Sequence, residues 1–265
     1  MGARVLILTY HGVGNEGWPL EVPREIFAAH LDAVEQSGAT TMTVAEVAAA
    51  IRSAQLPERG VAITFDDGLR SVARYAAPIL VERGLRATVF CVATHIGGRS
   101  DWPSRRNGAG TALLADRDEL RELVAAGFEI GSHGATHAPL VHGGKRFLDE
   151  EVVESRSALE TALGTQVCSF ALPYGVTACA DARSLLASTY TAVCTTRPAV
   201  VNDETDPLAL PRVDANFARS SSRVLRLLRG SGSTYLRARG AGARARRLLV
   251  ADYAAAPVTS GERSE

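Results

Sequence analysis

Short runs of consecutive apolar residues recur along the chain, separated by longer stretches in which apolar residues repeat at helical spacing. The runs lie at 5–9 (VLILT), 40–43, 61–65 (VAITF), 87–93 (ATVFCVA), 128–131, 167–172 (VCSFAL), 191–195 and 208–213. Several are continuous rather than alternating, as expected of strands buried on both faces. The stretches between them predict helices. PREIFAAHLDAVEQSG opens with Pro23 and closes with Gly38. TVAEVAAAIRS starts with a threonine cap, and DRDELRELVAAG carries acids in its first turn and ends at Gly127. SVARYAAPILVERG contains Pro78, which predicts a kink or a late start, and DEEVVESRSALETALG is the clearest helix of all. Eight strands alternating with helices over about 210 residues describe one parallel α/β domain. A distorted (β/α) barrel of seven to eight parallel strands fits this pattern better than an open sheet. No GxGxxG follows a strand, which disfavours a dinucleotide fold.

After Val213 the pattern changes. Residues 219–247 hold nine arginines and no acid. Arg219, Arg223, Arg226 and Arg229 flank Val224, Leu225, Leu227 and Leu228, which is a basic amphipathic helix. The chain is therefore divided into a barrel over 1–215 and a basic helix with a flexible tail over 216–265, with 230–234 and 254–265 read as flexible. A solvated helix packed on the barrel is favoured over contact with an anionic membrane surface.

Composition narrows the function classes. The chain of 265 residues is 46% hydrophobic and 22% charged with no net charge, so it reads as a soluble globular protein with no bulk-charge argument for nucleic acid. No run reaches the length of a membrane span, and the first residues lack the apolar stretch and cleavage site of a signal peptide, so a cytoplasmic location is expected. The four cysteines, Cys91, Cys168, Cys179 and Cys194, form no CxxC pair, and small buried hydrophobes are the expected reading.

The candidate chemistry lies at strand ends, where parallel β/α domains place their active sites. Asp66 and Asp67 follow the apolar run at 61–65. Two unpaired acids there would raise each other's pKa. A metal ion removes that conflict by taking one carboxylate as ligand and leaving the other as a base. His133 and His137, four apart just past another strand, can converge on one ion. Asp, His and His plus water make an open site of catalytic type. Pro173-Tyr174-Gly175 is turn chemistry after a third strand, and at the same rim it can present a backbone N–H to an oxyanion.

TFDDG (64–68), HxxxH (133–137) and PYG (173–175), in this order, resemble the polysaccharide deacetylases, also called the NodB-homology domain, over about residues 5–215. The resemblance implies a distorted β/α barrel. It implies Asp66 as general base, Asp67, His133 and His137 as ligands of a divalent metal (zinc above all, with cobalt or nickel as alternatives), and the backbone N–H of Tyr174 as an oxyanion donor. The implied activity is metal-assisted hydrolysis of an N-acetyl amide on an amino sugar, oligosaccharide or polysaccharide.

The sequence departs from the family at three places. Gly134 stands where many members have serine or threonine, so a hydroxyl brace for the loop is missing. Ala171 and Leu172 precede the proline loop where an arginine is usual. No histidine follows His142, although typical members carry a late general-acid histidine. His11, in LILTYHGVG after the first strand, resembles the acid histidine of relatives with a rearranged order. A closed barrel would set its first strand beside its last. Arg212 and Asp214 on the last strand are candidates to orient His11 or tune Asp66, with a surface salt bridge as the plain alternative. His30 reads as mid-helix. His95, His142, Trp18 and Trp102 lie in loops that either border the substrate groove or anchor themselves. Two further functions stay open: hydrolysis of another C–N bond, such as a cyclic amide or ureide, and glycan binding without catalysis.

Overall fold

The computed structural model describes residues 2–15, 18–102, 111–176 and 178–231, together with 235, 236, 238 and 240. The chain runs β1 (Val5–Tyr10), β2 (Gly12–Val13), β3 (Glu21–Val22), α1 (Arg24–Ser37), β4 (Thr40–Met42), α2 (Val44–Arg52), β5 (Gly60–Phe65), α3 (Ala77–Glu82) and β6 (Thr88–Cys91). It continues through α4 (Arg117–Ala125), β7 (Glu129–Ser132), α5 (Lys145–Leu148), α6 (Ser155–Leu163), β8 (Ser169–Ala171), α7 (Ala180–Thr189), β9 (Ala192–Cys194), β10 (Val213–Asp214) and α8 (Ser221–Leu228).

β1 and β5 are buried along their whole length, which is why their sequences are unbroken apolar runs. Alternate residues serve two layers. Leu6, Leu8 and Tyr10 join the large core under the helices. Val5 and Ile7 join a smaller cluster with Ala62, Phe90, Ala171, Ala192 and Cys194, closed by Val44, Val47 and Ala48 of α2. The strand order is β10-β1-β5-β6-β7-β8-β9, with β4 beside β5. Every pairing in this sheet is parallel. β4 occupies the edge of β5 from Gly60 to Ala62, and β6 takes over at Thr64 and Phe65.

The sheet curls into a half-barrel, and the segment 210–214 spans the remaining gap. Leu210 bridges Cys194 in parallel, the Arg212 N–H donates to the Arg197 carbonyl, and Val213 and Asp214 pair with Leu8 and Thr9. The first strand thus neighbours the last. The expected strand at 208–213 is mostly absent. Pro207–Ala209 is a 3-10 turn and Pro211 has no N–H to offer a ladder, so regular pairing is confined to β10.

Helix ends follow their sequence signals. Thr43 and Asp116 form capping boxes with Glu46 and Glu119, and α1 and α6 end at the left-handed Gly38 and Gly164. Two helices contain an unpredicted wide turn. Val72–Ala76 winds as a π turn just before Pro78, which lacks the N–H that an α-helical turn would use. Asp149–Glu154 forms a second π turn between α5 and α6. α8 buries Val224, Leu227 and Leu228 in the core under α1. His30 of α1 lies at this junction: its Nδ1 accepts from the Tyr10 hydroxyl at 2.9 Å and its Nε2–H donates to the Arg219 carbonyl at 3.1 Å. Of the stretches read as flexible, 232–234 and 254–265 lie outside the described residues. Among the described residues no helix is long and apolar enough to cross a membrane.

Candidate active site

β5 ends at Phe65, and the Asp66 N–H still donates to the Tyr10 carbonyl at 2.9 Å. The chain then turns through two left-handed residues, Asp67 at φ 72° and Gly68 at φ 70°. For an aspartate this conformation costs on the order of 1 kcal/mol or more. Four non-glycine residues among those described have positive φ, and three of them, Asp67, His137 and Tyr174, are candidate site residues. Strained backbone collected at one rim is a mark of function rather than of packing. Here it gives the two adjacent carboxylates separate partners.

Asp67 meets the two histidines. Its Oδ1 lies 3.6 Å from His133 Nε2 and 3.4 Å from His137 Nε2. All three side chains are buried, and the three ligand atoms lie within 4.8 Å of one another. Asp67 Oδ1 is buried without a hydrogen-bond partner, which would be costly if nothing else met it. His133 donates its Nδ1–H to the Ala171 carbonyl at 2.8 Å, so its Nε2 lone pair is free to face the others. Burial pushes the His133 imidazole down to about 4, against the pull of Asp66, so it is neutral near pH 7. Burial would push the Asp67 carboxyl up, but its neighbours His137 first, then His11 and His133, outweigh it and hold the group well below the usual carboxylate range. One carboxylate and two imidazoles are the donor set of a three-ligand catalytic zinc site, so the residues present fit a divalent ion.

Asp66 meets Arg212. The guanidinium is bidentate, with Nη1 to Oδ1 at 2.7 Å and Nη2 to Oδ2 at 2.9 Å. Arg212 is only 2% exposed, so the plain alternative of a surface salt bridge does not apply. Thr195 fixes its Nε–H through its carbonyl at 3.0 Å, and Phe90 lies under the guanidinium at 5.4 Å. Burial raises the Asp66 pKa, but Arg212 first, then His133 and His11, bring it below the ordinary value. The arginine missing before the proline loop is thus met from across the barrel by the segment that closes it. Asp214 reaches this group only through its charge, which helps hold Arg212 protonated. It accepts from the Asn216 N–H at 2.8 Å, and no hydrogen bond links it to His11 among the described residues.

His11 follows β1 at the same rim and is one of the neighbours that lower the pKa of both carboxylates. Its Nδ1 is buried without a partner. Tyr174 has φ 57°, and its ring packs edge-on against His137 at 4.5 Å. Trp102 packs on the same imidazole: it lies over His137 at 4.5 Å with an interplanar angle of 26°. His137, whose Nδ1 has no hydrogen bond, is therefore held by two aromatic rings rather than by a carbonyl. His95 sits edge-on to Trp102 and 3.3 Å from Asp101, one step removed from the ligands. One residue of this environment, Glu151, escapes sequence reasoning, and Trp102 is read there only as bordering the groove or anchoring its loop. Trp102 is one of several loop aromatics until the fold brings it to His137. Glu151 lies in an acid-rich helix and carries no signal that distinguishes it from its neighbours, yet it is buried and accepts hydrogen bonds from the loop between the two histidines.

Comparison with known proteins gives the family. The family model described as polysaccharide deacetylase matches residues 53–191, and the chain belongs to that family. YxkH of Bacillus subtilis (strain 168) is 25% identical over 221 residues, covering 83% of this chain and 74% of that protein. The structure of IcaB from Ammonifex degensii superposes with a TM-score of 0.73 at 25% identity, covering 85% of this chain and 98% of that one. BA0330 from Bacillus anthracis superposes with a TM-score of 0.64 at 24% identity over 80% of this chain. This chain spans 64% of BA0330, less than two thirds of its length.

Proposed function

We propose that this protein is a metal-dependent deacetylase that hydrolyses the N-acetyl amide of an amino sugar, oligosaccharide or polysaccharide. The observation that carries the reading is the division of labour at the end of β5. Asp67 faces two imidazoles in a metal-type cluster, while its neighbour Asp66 is held ionised by Arg212. Asp67, His133 and His137 would hold the ion, and their N₂O donor set suits zinc. A divalent ion there supplies the charge that acidifies water and polarises an amide carbonyl.

Asp66 accepts the proton of the attacking water through a carboxylate that Arg212 both orients and keeps deprotonated. The backbone N–H of Tyr174, set by its left-handed turn, donates to the oxyanion that develops on the amide oxygen. His11, just past the end of β1, the strand between β5 and β10, gives a proton to the leaving amine. Acetate and the free amino sugar leave.

The separate roles of the two acids are tested by Asp66→Asn. The variant is expected to bind the metal like the wild type and to lose acetate release by about a thousandfold or more. Retained turnover would remove Asp66 from the chemistry.

A further inference from the structure

His133 and His137 are joined by three residues, and that short loop is pinned from both sides. On one side its carbonyls are taken up by the end of β6. Gly134 O accepts from the Ala93 N–H at 3.0 Å and Ala135 O from the Thr94 N–H at 3.1 Å, with the Thr94 hydroxyl adding a bond to Ala135 O at 2.6 Å. On the other side its donors converge on Glu151. The Ala135 N–H donates to Oε2 at 2.9 Å, the Thr136 N–H lies 3.2 Å from both oxygens, and the Thr136 hydroxyl donates to Oε1. Glu151 is 2% exposed, and among the described residues no cation pairs with it. A carboxylate so far from water has to be met by donors. Among the described residues, the hydrogen bonds that meet it all come from the ligand loop.

Two further observations tie the same residues together. Gly134 has φ 86°, and a Cβ placed there would lie 2.6 Å from Glu151 Oε2. The glycine that replaces a hydroxyl residue after the first histidine is therefore what lets the carboxylate approach. Glu151 also sits inside the π turn Asp149–Glu154. That turn is fastened to β7 through Ser155, whose hydroxyl meets Glu151 O at 2.7 Å and Ser132 Oγ at 3.0 Å, while Ser132 Oγ accepts from the Gly134 N–H at 3.2 Å. Wide turns of this kind cost helix regularity and recur at functional sites.

We infer that Glu151 is a positioning residue for the metal centre: by holding the donors of the loop 134–136, it sets the approach of His137 to His133 and Asp67 and with it the affinity for the ion. The inference rests on the metal-centre reading above. Partners outside the ligand set commonly change metal affinity by about 10–100-fold, without touching the ion, through the orientation of the ligands.

The test uses the full chain, stripped of metal and titrated with Co²⁺ and Zn²⁺ against a competing chelator. Glu151→Gln keeps the shape but turns a donor amide toward donor N–H groups. It is expected to weaken both ions by about 10–100-fold and to change the visible Co²⁺ spectrum, with the far-ultraviolet circular dichroism of the wild type. Thr136→Val, at an exposed position, removes only one of the loop's donors and is expected to lose affinity in the same direction by a smaller factor, about threefold or more. It decides the matter alone if Glu151→Gln does not fold. A wild type that binds while both variants bind within about twofold of it, with an unchanged Co²⁺ spectrum, overturns the inference and leaves the metal centre standing. A lowered melting temperature with unchanged affinity assigns Glu151 to stability alone and overturns it as well. A wild type that binds neither ion removes the metal centre and this inference together.

Discussion

Asp66 and Asp67 share a peptide bond, yet one is paired with a guanidinium and the other with two imidazoles. The left-handed backbone at Asp67 and Gly68 accompanies that separation, and Arg212 makes it chemically useful. Arg212 lowers the pKa of Asp66, so the base is ionised above that depressed value and activity is lost as pH falls through it. Arg212→Met removes the cation and leaves the buried carboxylate to desolvation. The acid limb of kcat/KM against pH is expected to move up by about one unit or more. The variant should also be less stable at neutral pH by about 3 kcal/mol, because a buried charge has lost its partner. An acid limb that stays in place would show that Arg212 does not set the base. His11→Ala, by contrast, leaves base and ligands intact. It should reduce turnover of an acetylated amine by about a hundredfold or more while metal binding is kept. Full activity in that variant would move the general acid elsewhere. The candidate ligands were legible in the sequence because their residue types and spacings are chemically restrictive. Arg212 was legible only as a possibility, since nothing local in LPRVD says that its guanidinium crosses the barrel to Asp66. Trp102 was legible only as a loop aromatic that either borders the groove or anchors itself, and Glu151 was not legible, because its importance arises from a π turn that apolar periodicity does not encode.

At the scale of elements, continuous apolar runs marked the buried strands well, since burial on both faces leaves little room for polar residues. The run at 208–213 misled because its proline, Pro211, lacks the N–H that a strand needs and Pro207 just before it opens a 3-10 turn. Helix boundaries followed caps and glycines, whereas the π turns depend on packing and on the missing N–H of Pro78. The junction of α1 and α8 carries a pH prediction. Burial lowers the pKa of His30, opposed in part by its hydrogen bond to the Arg219 carbonyl. As pH falls below about 6.5, the unfolded chain gains a proton that the folded chain resists, so stability falls with acidification. Urea midpoints at pH 7 and pH 5 should therefore differ more in the wild type than in His30→Gln, which removes the titrating group. Equal differences in the two proteins would contradict a neutral, buried His30 at this junction.

For the molecule as a whole, the alternation of strands and helices was enough to reach a parallel barrel, because that is the economical way to cover both faces of a parallel sheet. How the barrel closes was not readable. It depends on one irregular segment that also delivers Arg212, so closure and chemistry are coupled. The arginine-rich helix is legible as amphipathic, and its apolar face is spent on the core through Val224, Leu227 and Leu228. Removing residues 219–265 should therefore destabilise the barrel by several kcal/mol, at roughly 1.5–3 kcal/mol per buried aliphatic side chain as an upper bound, without changing sedimentation with anionic liposomes. A truncated chain of wild-type stability would contradict the packing of α8.

The central claim is metal-dependent deacetylation. Its most direct test is acetate release from N-acetylglucosamine, its short oligomers and a lipid-linked N-acetyl sugar, measured before chelation, after it, and after zinc is restored. Release that stops with the chelator and returns with zinc is the predicted result. A protein that binds zinc and releases no acetate from any of these substrates would contradict it.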